Sequence, residues 1–244
     1  MRARTSWTFA WVVVMLVLLN GIPFAPPQAQ QPKATPTPKK TKPPKLTSHV
    51  LLISISGLRS DYANAPDTVR LKIPNLRSLR AKGCFAVGIE SVYPSQTIPA
   101  HVSMVTGTLP ADHGITSDYP FNEQTGTQSS AVFESSKAIK SDTIWEAAKR
   151  ENLTTAAVGF PMTTEANLTF NFPEAREGSD SAKAEQVINL LEKDKPNLLL
   201  VNFTSFDSAQ RRFGLLSTES KSALELIDGL IGKIVAAIDQ AKLT

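Results

Sequence analysis

Three stretches of the chain carry residue types that could do chemistry. Ser56-Gly57 directly follows the apolar run Val50 to Ile55, at the point where a buried strand leaves its sheet. In open α/β sheets that is where ligands bind, and an enzyme often keeps a charged group there. Thr97, in YPSQTIPAHVSMVTG, stands just ahead of a helical segment whose free N–H groups and dipole favour an anion. Asp207, in TSFDSAQRRFG, comes after the last apolar run and has Arg211 four residues on. Each has a plainer reading. Thr97 could cap its helix, and Asp207 could cap the segment after it or pair with Arg211 one helical turn later. His101 and His113 read as hydrogen-bonded structural histidines, since neither belongs to a close cluster of metal-binding residue types.

The elements that must position these residues can be read from periodicity. Strands are expected at Val50 to Ile55, Cys84 to Val92, Thr155 to Phe160 and Asn197 to Phe203. Helices are expected at Pro74 to Lys82, Pro99 to Thr106, Asp142 to Asn152, Ser181 to Lys193 and Thr218 to Lys242. In the last, Leu224, Ile227, Ile231, Ile234, Val235 and Ile238 recur at helical spacing, which marks one buried face. Strands alternating with helices imply an α/β fold, a mostly parallel sheet flanked by helices. Such a sheet brings Ser56, Thr97 and Asp207 together beyond the carboxyl ends of its strands.

Composition narrows the functional classes. Of 26 basic residues, seven fall in positions 1–47, which hold no acid, so positions 48–244 carry 19 basic against 22 acidic side chains. The globular part is therefore mildly acidic, which argues against a nucleic-acid-binding surface. The opening MRARTSWTFAWVVVMLVLLN has two arginines and then a short apolar run, after which come Gly, Pro and small residues. Residues 1–29 read as a signal peptide cleaved after Ala29, with an uncleaved N-terminal anchor as the alternative and the only expected contact with a membrane. Export to the periplasm or the extracellular space is implied. Residues 30–47, rich in Pro, Lys and Thr, read as a solvated linker. The single cysteine, Cys84, excludes an internal disulfide and reads as a small core residue.

Taken together, HVLLISISGLR, IPNLRSLRAKG, VYPSQTIPAHVSMVTGTLPADHGI, PFNEQTG, DTIWEAAKRENLTTAAVGFP and LLLVNFTSFDSAQRRFG resemble, in order, the nucleotide pyrophosphatase/phosphodiesterase family of the alkaline phosphatase superfamily. The resemblance runs from about His49 to the end of the chain and is most specific over Pro94 to Ile115. It implies an alkaline-phosphatase-like core in which two zinc ions, about 4 Å apart, clamp a phosphoryl group while a metal-bound Thr attacks phosphorus. Thr97 aligns with that nucleophile, and Asp207 aligns with a ligand of the other zinc. Ser56 stands where the family has a metal-binding Asp. Arg211 stands in place of a ligating His, and Asp118 in place of an Asn that contacts the phosphate. The family's remaining ligands, an Asp-His pair and a last His, are expected beyond Thr244, so positions 48–244 read as the N-terminal part of the catalytic domain.

The resemblance supports two expectations. The first is a phosphodiesterase-like protein, inactive in this chain, with neither zinc held stably, because Thr97 and Asp207 alone remain as ligands. The second is a pseudoenzyme that binds phosphate or sulfate esters, small molecules held by Arg211 and the helix start at Thr97. The substitutions at Ser56, Asp118 and Arg211 favour lost catalysis over simple truncation.

Overall fold

The computed structural model describes residues 49–243, so the expectations for the signal or anchor segment and for the linker lie outside the described residues. In chain order the main elements are β1 (Val50–Ile55), α1 (Ser60–Asn64), α2 (Pro74–Lys82), α3 (Thr97–Thr106), α4 (Pro110–His113), β2 (Phe121–Asn122), β3 (Thr127–Gln128), α5 (Ile144–Arg150), β4 (Thr155–Val158), β5 (Phe170–Phe172), α6 (Asp180–Lys193), β6 (Leu198–Phe203), α7 (Ser205–Phe213) and α8 (Thr218–Gln240). The main sheet has the order β1-β6-β4-β5 and every pair in it is parallel. β2 and β3 form a separate antiparallel ribbon.

Side chains alternate across the sheet and split the core in two. Leu199, Val201 and Phe203 of β6 pack with Val187, Leu190 and Leu191 of α6 and with Leu224, Ile227, Ile231 and Ile234 of α8. Leu198 and Leu200 point the other way, onto Val105, Trp145 and Phe160. Both faces are covered, as a parallel sheet requires. Among the described residues three α-helices carry a side-chain cap of their own. Thr143 and Glu146 form a reciprocal capping box at α5, Ser179 caps α6 and Ser217 caps α8.

Three expectations fail here. Residues 84–92 form no strand, and Cys84 is exposed rather than a core residue. The segment alternates as a strand does, but Phe85, Val87 and Ile89 point outward with 55%, 80% and 90% of their surface exposed. Among the described residues no strand pairs with it, and alternation alone cannot supply the missing ladder. α3 begins at Thr97 rather than Pro99, so Thr97 is its first helical residue; the capping position belongs to Gln96, whose side chain makes no cap bond.

Candidate functional site

A polar cluster lies where β1 and β6 run side by side, with Ser54 opposite Asn202 and Ile55 opposite Phe203. The Ser56 hydroxyl donates to Asn202 Oδ1 at 3.1 Å. His101, one turn into α3 and 6% exposed, bonds the Thr97 carbonyl through Nδ1 at 2.7 Å and Ser54 Oγ through Nε2 at 2.9 Å. A carbonyl only accepts, so Nδ1 carries the proton and Nε2 accepts from the serine. Burial pushes the imidazole below its ordinary value, against the opposing pull of the Thr97 carbonyl. His101 is thus a neutral brace between β1 and the start of α3. His113 accepts from the Ile115 N–H at Nδ1 and bonds Ser103 through Nε2, also as a structural histidine.

The start of α3 is held by a loop twenty residues on. The Ile98 N–H donates to Asp118 Oδ1 at 2.6 Å, and the Asp118 N–H donates to Gln96 Oε1 at 2.7 Å. This is a reciprocal cap made by a residue distant in sequence. Asp118 therefore uses its carboxylate on the helix backbone.

Asp207 lies in the first turn of α7, and its Oδ2 accepts from Arg211 Nε at 2.7 Å. That bond, and after it the Asp207 charge, raises the guanidinium's pKa, with Asp118 and Tyr119 adding to the effect. Asp207 caps nothing, because Asp180 at the start of α6 already does so. Asp180 accepts from the Thr204 and Ser205 N–H groups and from the Ser205 hydroxyl. Lys183 closes the arrangement, donating to Asp180 Oδ1, to the Asn202 carbonyl and to Thr204 Oγ1. Both charged side chains are essentially inaccessible, at 0% and 1% exposure.

β1 reaches α7 through Gly57. Its carbonyl accepts from Gln210 Nε2 at 3.1 Å, and its φ of +77° is a conformation that favours glycine. A Cβ built there would lie 3.2 Å from Asp207 Cα and 2.8 Å from Gln210 Nε2.

The sequence-derived residues thus fall into two linked groups. Ser56, through Asn202 and Gly57, adjoins Asp207 and Arg211; Thr97, through His101 and Ser54, joins the same end of β1, with Asp118 against its helix. Sequence reasoning missed Asn202, Asp180 and Lys183. Two signals were present: a polar residue inside the run LLLVNF, and Lys183 on the same stripe of α6 as Val187 and Leu190. Among the described residues no group of three or more His, Cys, Asp or Glu is placed to hold a metal ion.

A family model for type I phosphodiesterase/nucleotide pyrophosphatase matches residues 50–244. The chain belongs to this family. An uncharacterised pyrophosphatase/phosphodiesterase of Schizosaccharomyces pombe is 31% identical over 205 residues, covering 78% of this chain and 41% of the relative. Human ectonucleotide pyrophosphatase/phosphodiesterase family member 1 is 24% identical over 209 residues, covering 81% and 22%. Murine ectonucleotide pyrophosphatase/phosphodiesterase 5, solved as an inactive variant in complex with AMP, shares the fold at a TM-score of 0.69 and 21% identity. That match covers 80% of this chain and 54% of the murine one. This phosphodiesterase-family chain thus spans about half the length of that solved structure, and less than half of both curated relatives.

Proposed function

We propose that this is an exported member of the phosphodiesterase family in which two-zinc ester hydrolysis is lost. One observation carries the reading. Asp207, at the position of a zinc ligand, is neutralised by Arg211, which replaces a ligating histidine with a permanent cation. A metal ion there would have to break that pair and sit beside the guanidinium. At the other metal position Ser56 offers a neutral hydroxyl already committed to Asn202. The described donor set does not fit a pair of zinc ions. Thr97 keeps the nucleophile position, but a threonine hydroxyl without a metal or a base beside it is a poor nucleophile at neutral pH. His101 cannot serve as that base, since its Nδ1 is bound to the Thr97 carbonyl and its Nε2 to Ser54.

The test is hydrolysis of bis(p-nitrophenyl) phosphate by the purified chain with and without added zinc, together with elemental analysis after dialysis against a weak chelator. No turnover and no stoichiometric zinc are expected. Two zinc ions per chain with zinc-dependent turnover would overturn the reading. A second reading, retained binding of phosphate or sulfate esters, is favoured by Arg211, whose side chain is 75% exposed and bonded to Asp207 through Nε. The guanidinium has further N–H donors suited to a tetrahedral anion.

A further inference from the structure

We propose that Asp118 is an intramolecular plug: its carboxylate is bound to the start of α3 in the place an anionic ligand would take, and keeps that end of the site closed. The proposal rests on the reading of the chain as a phosphodiesterase-family protein in which the Thr97 end of α3 is where the phosphoryl group is handled. The backbone donors at this helix start are nearly used up. Pro99 has no N–H, the Ala100 N–H goes to the Gln96 carbonyl at 3.1 Å and the Ile98 N–H goes to Asp118. The Thr97 N–H is left over among the described residues. The Ile98 N–H lies 2.6 Å from Asp118 Oδ1.

The plug is also held in place from behind. Gln96 Oε1 accepts the Asp118 N–H at 2.7 Å, so helix and loop each hold the other, and the Phe133 N–H adds a bond to the Asp118 carbonyl at 2.9 Å. The nearby positive charge is engaged in part as well. Arg211 is paired with Asp207, and the Asp118 charge contributes to holding its pKa up. An incoming phosphate would meet two carboxylates where it needs donors. An asparagine at 118 could offer its amide N–H groups to a phosphate; aspartate offers only acceptors.

A cap that is merely structural and a cap that excludes anions differ in one observable. If Asp118 stands in for an anion, a free anion should replace it once it is removed. The experiment uses the full chain, inorganic phosphate as the probe, and sodium chloride at matched ionic strength as the control. Thermal unfolding and calorimetric titration are run on wild type, Asp118→Ala and Asp118→Asn. Wild type is expected to show no phosphate-specific rise in Tm at millimolar phosphate. Asp118→Ala should unfold at lower temperature without phosphate and recover most of the loss with it. Its phosphate affinity should exceed that of wild type by roughly tenfold or more, since a like-charge contact is relieved. Asp118→Asn keeps an acceptor for Ile98, so it should fold as wild type does and still gain phosphate affinity.

Phosphate binding no tighter in either variant than in wild type overturns the proposal, as does a stability loss in Asp118→Ala that phosphate leaves untouched. If Asp118→Ala fails to fold, Asp118→Asn alone decides. Zinc-dependent turnover by wild type would instead overturn the loss of catalysis, a result separate from the phosphate titration.

Discussion

α3 and α7 carry the two halves of the candidate site, and neither is capped by its own N-terminal residue. Each receives a carboxylate from another part of the chain, Asp118 for α3 and Asp180 for α7. The surroundings of the two carboxylates differ sharply. Asp180 is 3% exposed, is bonded to a buried lysine, and ties α6, β6 and α7 into one unit. Asp118 is partly exposed, makes no salt bridge among the described residues, and its carboxylate is bonded to a single helix N–H. The same capping bond is therefore structural framework at one helix and an exchangeable contact at the other. A carboxylate sealed in with its counter-charge cannot be traded for a ligand, whereas one open to solvent can.

The comparison can be broken by experiment. Asp180→Ala should have the largest effect, because it strands the Lys183 ammonium in the core. A loss of about 3–5 kcal/mol in urea unfolding is expected. A loss under about 1 kcal/mol would mean the buried pair is not the framework of α7.

Acidification should act on the α3 side through its buried histidines. His101 titrates below its ordinary 6.5 when folded, because burial disfavours the imidazolium. The unfolded chain then binds protons more readily, so this stability is present above the ordinary value and drains away as pH falls below it. His113 is shifted the same way, also by burial. Stability measured by denaturant unfolding should therefore fall as pH goes from 7 to about 5, and His101→Gln should flatten the slope. An unchanged slope in that variant would remove His101 as the cause.

Asp118→Ala should cost about 0.5–2 kcal/mol in the absence of phosphate, the scale of a lost helix cap. A loss equal to that of Asp180→Ala would erase the distinction between the two carboxylates. Arg211→Ala should cost least, under about 1 kcal/mol and less still in high salt, because the arginine is largely exposed. A larger loss would show the pair with Asp207 to be framework as well.

The same physics separates the legible parts of the sequence from the illegible ones. α5 and α8 have their caps adjacent in sequence, α8 also carries an intact apolar stripe, and the residue pattern located both to within a few positions. The parallel sheet was legible in β1, β4 and β6. β5 was not, because three residues carry too little pattern. α7 buries only Phe206, as α5 buries only Trp145, but unlike α5 it has no side-chain cap of its own to mark its start. It is positioned by Asp180, a contact between residues about 25 apart that no local pattern encodes. Residues 84–92 misled in the opposite way: their alternation is real, but a strand needs a neighbour. At the candidate site, Ser56, Thr97 and Asp207 were placed by the alternation of strands and helices, while Asp118 and the roles of all five residues came from the family resemblance. That Arg211 bonds Asp207 was foreseeable from their spacing of four. That Asp118 turns its charge onto α3 was not, since it depends on where a loop returns.

Gly57 has a consequence for how this chain can change over generations. Its neighbour Ser56 holds its place through one hydroxyl bond, and other side chains could be accommodated there at moderate cost. At Gly57 the φ of +77° strains any other residue, and an added Cβ would crowd α7 at 3.2 Å from Asp207 Cα. Every amino-acid replacement of a glycine adds that atom. Position 56 is thus open to drift, while position 57 resists replacement. In a library of random variants selected only for folding, position 56 should diversify and position 57 should come back as glycine.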